Sequence, residues 1–353
     1  MQTQCNPIQM EFAEVERRRV VAAFDGGTVS SDGGALLLTR TDEAIGLIDR
    51  LAGCFRDRRA PALVEHAVRT LVGQRVFGIA AGYEDLNDHD ELRKDPLWGA
   101  LMGKLTAKRR DCQALAGKST LNRLEWAKAN GTTRYQRIEV DAPAIEALFV
   151  TLFLESYAKA PEEIVLDLDA TDDPLHGGQE GRFFHGYYDH YCYLPLYIFC
   201  GRHLLCAKLR PANIDGAAGA KEEVTRIVEQ IRARWPETRI ILRADSGFAR
   251  EGLMAWCEGN GVDYVFGLAR NRRLERWLQP TLERVAEQVA VRGQAAREFL
   301  ERSYRTLTSW SCARRVVGKA EVTTLGSNPR FVVTSLSVQA WDARALYEDL
   351  YCA

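Results

Sequence analysis

Four residues, in two pairs, have the types and spacing to do chemistry. Asp167 and Asp169 stand two apart in the run 163–169 (EIVLDLD), and Arg243 and Asp245 stand two apart where the run 239–244 (RIILRA) ends. Both runs are short, apolar and rich in β-branched residues, so both read as strands. Side chains alternate along a strand, which puts the members of each pair on one face. A carboxylate at the end of a buried strand is costly unless something pairs with it. A divalent cation is the obvious partner, and Mg2+ (with Mn2+ as a substitute) prefers carboxylate oxygens while keeping several waters, so it needs few protein ligands. The chemistry this suits is phosphodiester transfer, in which two metal ions about 4 Å apart activate the attacking oxygen and stabilise the leaving one. Taken singly, each acid also fits a plainer role: Asp169 as the start of a turn, Asp245 as the cap of a following helix. For Arg243, contact with a phosphate and pairing with a nearby acid are equally open.

The elements that must position these residues lie between about 160 and 270. After the first run come apolar runs at 193–200 and 203–210, separated by Gly201-Arg202. Val224, Ile227, Val228, Ile231 and Trp235 then recur at helical spacing, and Pro236 stops the helix. The second acid-bearing run follows, then a short helix over 250–258 ended by Asn260-Gly261, then the run 263–268 (DYVFGL). The order β-β-β-α-β-α-β predicts an α/β domain with a mixed sheet. It resembles the ribonuclease-H-like fold, in which the first and fourth strands are neighbours, so that Asp169 and Asp245 meet.

The remaining chain divides as follows. Residues 1–40 read as irregular, with Asp-Gly-Gly turns at Asp25 and Asp32 and no phosphate-binding loop. Residues 41–160 read as a helical domain that either packs on DNA or on its neighbour: Ala44, Ile45, Leu47, Ile48 and Leu51 form one apolar face, Val64, Ala67, Val68, Leu71 and Val72 a second, and residues 144–157 a third. Residues 161–285 form the predicted core, 286–338 a β-rich insertion with strands at 298–308, 313–324 and 330–335, and 339–353 the start of a last helix.

With this order in place, the motifs become specific. The segment 167–172 (DLDATD) followed by 176–180 (HGGQE) resembles the first-acid region of the DDE transposases of bacterial insertion sequences, and 191–196 (YCYLPL) continues the likeness. The segment 243–248 (RADSGF) resembles their second-acid region. The resemblance implies that Asp169 and Asp245 are catalytic acids and metal ligands, with Asp167 a further candidate ligand on the same face. It implies Mg2+ as cofactor. The implied partners are double-stranded DNA, both terminal inverted repeats and target, and a second copy of the chain when ends are bound. That family places its third acid, a Glu, in a signature running from Tyr through Arg to Glu on a helix after the insertion. Tyr351-Cys352-Ala353 resembles its start, so the expectation is a chain cut off before the third acid, with Glu348 the one possible stand-in. A non-catalytic DNA-binding remnant is the alternative.

Composition excludes less than the motifs suggest. The 353 residues are 46% hydrophobic and 27% charged, with 47 basic against 48 acidic residues, and a net charge of −1 says little where local patches decide. Arg17 to Arg19, Lys104 to Arg110 and Arg270 to Arg276 are basic clusters whose plain reading is a solvated helix face. Arg270, Arg272 and Arg273 follow the fifth strand, where phosphate contact is a reasonable expectation. Nine cysteines without CxxC spacing point to reduced thiols. With no signal peptide and no long apolar run, the expectation is a soluble, cytoplasmic, nucleoid-associated bacterial protein with no membrane partner. His185, His190, Cys192, Cys200, His203 and Cys206 have the residue types of a zinc site, but core thiols and satisfied histidines explain them more simply. Trp256 and Trp277 read as core or interface aromatics in preference to base-stacking groups, and Tyr187, Tyr188 and Tyr191 stay open between those two roles.

Overall fold

The computed structural model describes residues 10–15, 17–22, 30–129, 133 and 135–353. The turn expected at Asp25 lies outside the described residues. The chain divides into two compact units, 1–145 and 146–353.

The first unit opens with the antiparallel pair β1 (Met10–Val15) and β2 (Arg18–Ala22). The segment expected to be irregular up to residue 40 therefore carries a hairpin and the start of a helix. Small helices follow: α1 (Leu36–Ile45), α2 (Leu47–Gly53), α3 (Val68–Ala80), α4 (His89–Leu92), α5 (Pro96–Leu101) and α6 (Lys118–Glu125). The apolar face predicted across 44–51 spans two helices, because Gly46 takes a left-handed φ of 63° and ends α1. Short strands β3 (Phe55–Asp57) and β4 (Ile138–Val140) pair antiparallel. Leu71, Trp98, Leu115 and Leu121 are fully buried at the centre. Asp32 is tied in by Tyr83 Oη, which donates at 3.0 Å, and by Trp98 Nε1, which donates at 3.0 Å. The basic stretch at 104–110 lies outside any helix, and Lys104 is paired with Glu65 at 2.7 Å.

The helix α7 (Ala142–Glu155) begins at the unit boundary. It was expected to close the helical domain, yet its buried Val150, Phe153 and Leu154 belong to the core of the second unit. That core is built on one nine-stranded sheet. Its first strands are β5 (Glu163–Ala170), β9 (Leu196–Cys200) and β10 (His203–Lys208), joined antiparallel; between β5 and β9 the chain makes a separate three-stranded sheet of β6 (Asp173–Pro174), β7 (Phe183–His185) and β8 (His190–Tyr193). The helix α8 (Ala220–Arg234) then crosses to β11 (Arg239–Ala244), and α9 (Glu251–Gly259) crosses to β12 (Asp263–Leu268). Both strands run parallel to β5, which is why helical crossovers are needed. Each element predicted between 160 and 270 is present within a few residues; the small sheet at 173–193 was not expected.

A 21-residue helix, α10 (Arg272–Arg292), follows and was also missed. Its signal was present: Asn271 caps it through the backbone N–H groups of Arg273 and Leu274, and Leu274, Leu278, Leu282 and Val285 are buried along one stripe. The strands β13 (Ala296–Tyr304), β14 (Arg314–Thr323), β15 (Gly326–Ser327) and β16 (Arg330–Thr334) come next. They were expected as an insertion of their own. Instead β16 pairs antiparallel with β12 and extends the same sheet, in the order β10-β9-β5-β11-β12-β16-β14-β13. The chain ends in the short α11 (Ala343–Ala345), capped by Asp342, and a π-helical turn over Leu346–Tyr351.

Alternation sorts the two faces of this sheet. Ile164, Leu166, Leu168, Ile240 and Leu242 face the large core that also takes in residues of α7 to α10. Ile241, Val265, Val317 and Val332 face the other way and are covered by Leu346, Tyr347 and Leu350. Asp167, Asp169 and Arg243 share the parity of this second face.

One buried ion network clamps α9 to β14. The side chain of Arg314 is 2% exposed and pairs with Glu251 at 2.6 Å and Glu258 at 2.6 Å, and Tyr264 Oη donates to Glu258 at 2.8 Å. Hydrogen bonds from Arg314 hold both carboxylates below their ordinary value of 4.5. A lowered native pKa contributes stability above the unfolded value and loses it as pH falls through the native one. Replacing Arg314 by Leu leaves two facing carboxylates without their cation, and the unfolding free energy is expected to fall by about 3 kcal/mol at neutral pH. The difference from wild type should shrink below about pH 4 as both acids protonate in either chain; urea unfolding of both chains at pH 7 and pH 3 checks magnitude and sign.

Candidate active site

Register brings the two acids together. In the parallel pair of β5 and β11, Asp167 lies opposite Arg243 and Leu168 opposite Ala244. The next residue on each chain is Asp169 and Asp245. Neighbouring strands are about 4.8 Å apart, so two carboxylates of the same parity meet at the carboxyl end of the sheet. Asp169 is still within β5, whereas Asp245 has left β11 and caps a 3-10 turn at Ser246–Phe248. Its Oδ1 accepts from Gly247 N at 2.8 Å, so the capping role anticipated as the plain alternative is filled by one of its oxygens. Among the described residues, neither acid has an ion-pair partner. Burial pushes the Asp169 carboxyl above its ordinary 3.8, and the negative charge of Asp245 adds to that.

One step back along both strands the charges are matched. Arg243 Nε donates to Asp167 Oδ1 at 2.5 Å and its Nη2 to Oδ2 at 3.0 Å, a bidentate fork. Nη1 donates to the Leu350 carbonyl at 2.7 Å and to the Ala353 carbonyl at 3.1 Å. Of the two roles open for Arg243, the structure has the pairing with an acid. Both oxygens of Asp167 are thereby engaged.

Two tyrosines not expected beside the acids crowd the pair. A Cβ on Gly267 of β12 would stand 2.6 Å from Tyr351 Oη, 2.8 Å from Ser246 N and 3.1 Å from the Asp245 carbonyl carbon. Only glycine lets the tyrosine approach there, and a glycine inside a strand run is the signal for such an approach. The Tyr351 hydroxyl is held above its ordinary value by burial and then by the charge of Asp245. The hydroxyl of Tyr188 donates to the Ala170 carbonyl at 3.4 Å, and it is raised by burial and then by Asp172, Asp169 and Asp245.

With this geometry in hand, the chain was compared with known proteins. The model of the transposase DDE domain, group 1, matches residues 12–353. The chain belongs to this family of DDE transposases. No curated protein is similar enough to match.

The other residues singled out in this transposase domain stand elsewhere. Glu348, the possible stand-in for a third acid, is paired with Arg297 of β13 at 2.7 Å. β13 is the edge strand at the end of the sheet opposite β10. Among the described residues, no group of three or more His, Cys, Asp or Glu is placed to hold a metal ion, so the acids form a pair. Arg270 donates to Asn328 Oδ1 at 3.3 Å; Arg273 donates to the Arg305 carbonyl at 3.0 Å and lies over the Tyr304 ring at 5.0 Å; Arg272, the first residue of α10, is exposed. Among the described residues no three of the zinc-like set are grouped to hold a metal, although His185, His190 and Cys192 share the small sheet. Cys200 and Cys206 are in the main core, Cys192 is in a small separate cluster, His203 packs on Phe153 at 5.4 Å, and His190 pairs with Asp172 at 2.7 Å. Trp256 and Trp277 pack against the main core. The eight cysteines among the described residues are unpaired thiols. Among the described residues no helix is long and apolar enough to cross a membrane.

A carboxylate beside a like charge, with no ion-pair partner among the described residues, weakens the fold that holds it. Asp169→Asn removes that charge and should raise the melting temperature of the metal-free domain by roughly 1–3 °C at pH 7. Because the native Asp169 carboxyl sits above its unfolded value, its penalty is present at neutral pH and fades as pH falls into the carboxylate range. The gap between the two chains should therefore close near pH 4; calorimetry across that range checks it, and a lower melting temperature for Asp169→Asn at pH 7 would contradict the reading.

Proposed function

We propose that this transposase domain catalyses metal-dependent cleavage and strand transfer of DNA, with Asp169 and Asp245 as the catalytic acids. The observation that carries the reading is the pair itself: two carboxylates side by side just past the last paired residues of adjacent parallel strands, neither with an ion-pair partner among the described residues. Two such oxygens suit Mg2+ or Mn2+, which takes few protein ligands and keeps its waters. Bound there, the metal would lower the barrier by activating the attacking oxygen and stabilising the leaving one.

The chain's own residues then have these parts. Asp169 and Asp245 hold the cation site. Arg243, locked to Asp167 and to the Leu350 carbonyl, fixes β5, β11 and the last turn relative to one another. On this reading Asp167 positions the acids instead of binding metal. In the first step a water oxygen attacks phosphorus, the P–O3′ bond breaks, and a 3′ hydroxyl is released. In the second, that hydroxyl attacks a phosphate of target DNA and the target's own 3′ oxygen leaves. The strand order β10-β9-β5-β11-β12 supports the ribonuclease-H-like expectation, because it makes the first and fourth strands of the core neighbours. Arg270, Arg272 and Arg273 are proposed phosphate contacts. Terminal inverted repeats of a bacterial insertion sequence, a homodimer on paired ends and a cytoplasmic, nucleoid-associated setting belong to the same proposal.

A second reading has a specific observation in its favour. The family resemblance calls for a third carboxylate, and among the described residues none is grouped with the pair. A DNA-binding protein that does not cut would fit that. Cleavage of labelled element-end DNA with Mg2+ or Mn2+ separates the two. The comparison is between this chain, a chain continued through the expected Arg and Glu, and Asp169→Ala and Asp245→Ala in the continued form. Cutting by the continued form alone, with a loss of at least about a hundredfold in each variant, supports the catalytic reading; cutting that survives both substitutions, or none in the continued form, leaves the DNA-binding reading.

A further inference from the structure

The nine-stranded sheet has two edges, and they are finished differently. β10 is six residues long, its register with β9 breaks between Leu204 and Cys206, and it ends in Lys208. A short strand, a bulge and an edge lysine are devices that stop another strand from adding on. β13 has none of them. It runs nine residues without lysine or proline, and it pairs with β14 without a break from Ala296 opposite Val322 to Tyr304 opposite Arg314. Its side chains are engaged on both faces. On one, Glu298 accepts from Gln288 Nε2 of α10 at 3.0 Å and Arg302 lies over the Trp277 ring of α10 at 5.4 Å. On the other, Phe299 packs on Tyr347 with ring centroids 5.6 Å apart. Among the described residues β14 is its one backbone partner, so the outer row of N–H and C=O groups along β13 is what another strand would meet.

We propose that β13 pairs antiparallel with the β13 of a second copy of this chain, with Leu300 on the twofold axis. The order of charges along the strand selects this occupant and this register. In a twofold pairing the residue on the axis meets its own copy, and the residues flanking it exchange partners reciprocally. An axis at Arg297, Glu298, Glu301 or Arg302 would set a charge against itself, which is unfavourable across strands. An axis at Phe299 would leave Ser303 and Tyr304 of both strands unpaired. An axis at Leu300 pairs the whole of β13. Ala296 then faces Tyr304, Arg297 faces Ser303, Phe299 faces Glu301, and Glu298 faces Arg302 once on each side of the axis. No like charges are opposed, and the two opposite-charge pairs stabilise the contact. Within its own chain Glu298 is held by Arg284, whereas Arg302 has no carboxylate partner among the described residues; the second copy supplies one. Joining two β13 edges uses up both, so this contact stops at two copies. The inference goes beyond the proposed function by naming the surface through which two copies meet, and it makes no use of Asp169, Asp245 or DNA.

The test is sedimentation equilibrium of the chain without DNA or divalent metal, with the melting temperature of each variant measured alongside. Wild type is expected to form a dimer that dissociates on dilution. Arg302→Glu opposes two carboxylates on each side of the axis, and Glu298→Arg opposes two guanidinium groups there. Each substitution is expected to weaken the dimer at least about tenfold. Mixed in equal amounts, the two variants face each other with opposite charges at both positions and should dimerise as wild type does, a rescue that no general damage to the fold can produce. A wild type that stays monomeric overturns the proposal. So do single variants that dimerise like wild type, a mixture that stays monomeric, or assembly beyond two copies. Asp169→Ala and Asp245→Ala should leave the dimer unchanged, so a failure of this pairing and a failure of the catalytic reading are told apart.

Discussion

The strands β5 and β11 pair in parallel from Arg239 opposite Glu163 to Ala244 opposite Leu168, and this register is the constraint on which the site depends. Side chains on paired strands face the same way at the same level. The pairing that sets Asp167 against Arg243 runs out at Leu168 and Ala244, and Asp169 and Asp245 are the residues that follow directly on the two strands. A slip of one residue would turn one member of each pair to the opposite face, where the large core lies. The favourable contact and the unfavourable one are consequences of a single alignment.

The rest of the fold stabilises that alignment against its electrostatic cost. Ile164, Leu166, Leu168, Ile240 and Leu242 fix the strands on the core of α7 to α10, and Leu346, Tyr347 and Leu350 close the other face. The fork between Arg243 and Asp167 reaches on to the Leu350 carbonyl, so the same guanidinium that neutralises one acid also seats the last turn. Gly267 lets Tyr351 stand against Asp245. Among the described residues, Asp169 and Asp245 at the carboxyl end of these strands have no ion-pair partner, and their mutual repulsion costs the fold some stability.

Much of this was legible in the sequence. The strands of the core are short apolar runs bounded by turn residues, and α8 has a clean helical stripe, so the elements and the parity of Asp167, Asp169, Arg243 and Asp245 follow from local spacing. What spacing cannot give is the partner across the sheet. Whether Arg243 meets a phosphate or Asp167 depends on the β5–β11 register, and whether β16 extends the core sheet depends on its pairing with β12. The helix α10 is readable from Asn271 and its leucines, although its arginines draw the eye to a basic cluster instead. The small sheet of β6 to β8 has few apolar alternations, and its rings are exposed, so no burial pattern announced it. Glu348 had a suitable type on a suitable helix; only the fold shows that Arg297 holds it.

We propose that Asp169 and Asp245 share a divalent cation. It is tested most directly by determining the structure of the domain with Mn2+ and locating the metal by its anomalous scattering. A peak is expected within about 2.0–2.3 Å of oxygens from both carboxylates, absent in Asp169→Asn. Full occupancy at another position, with the two acids unchanged, would contradict it.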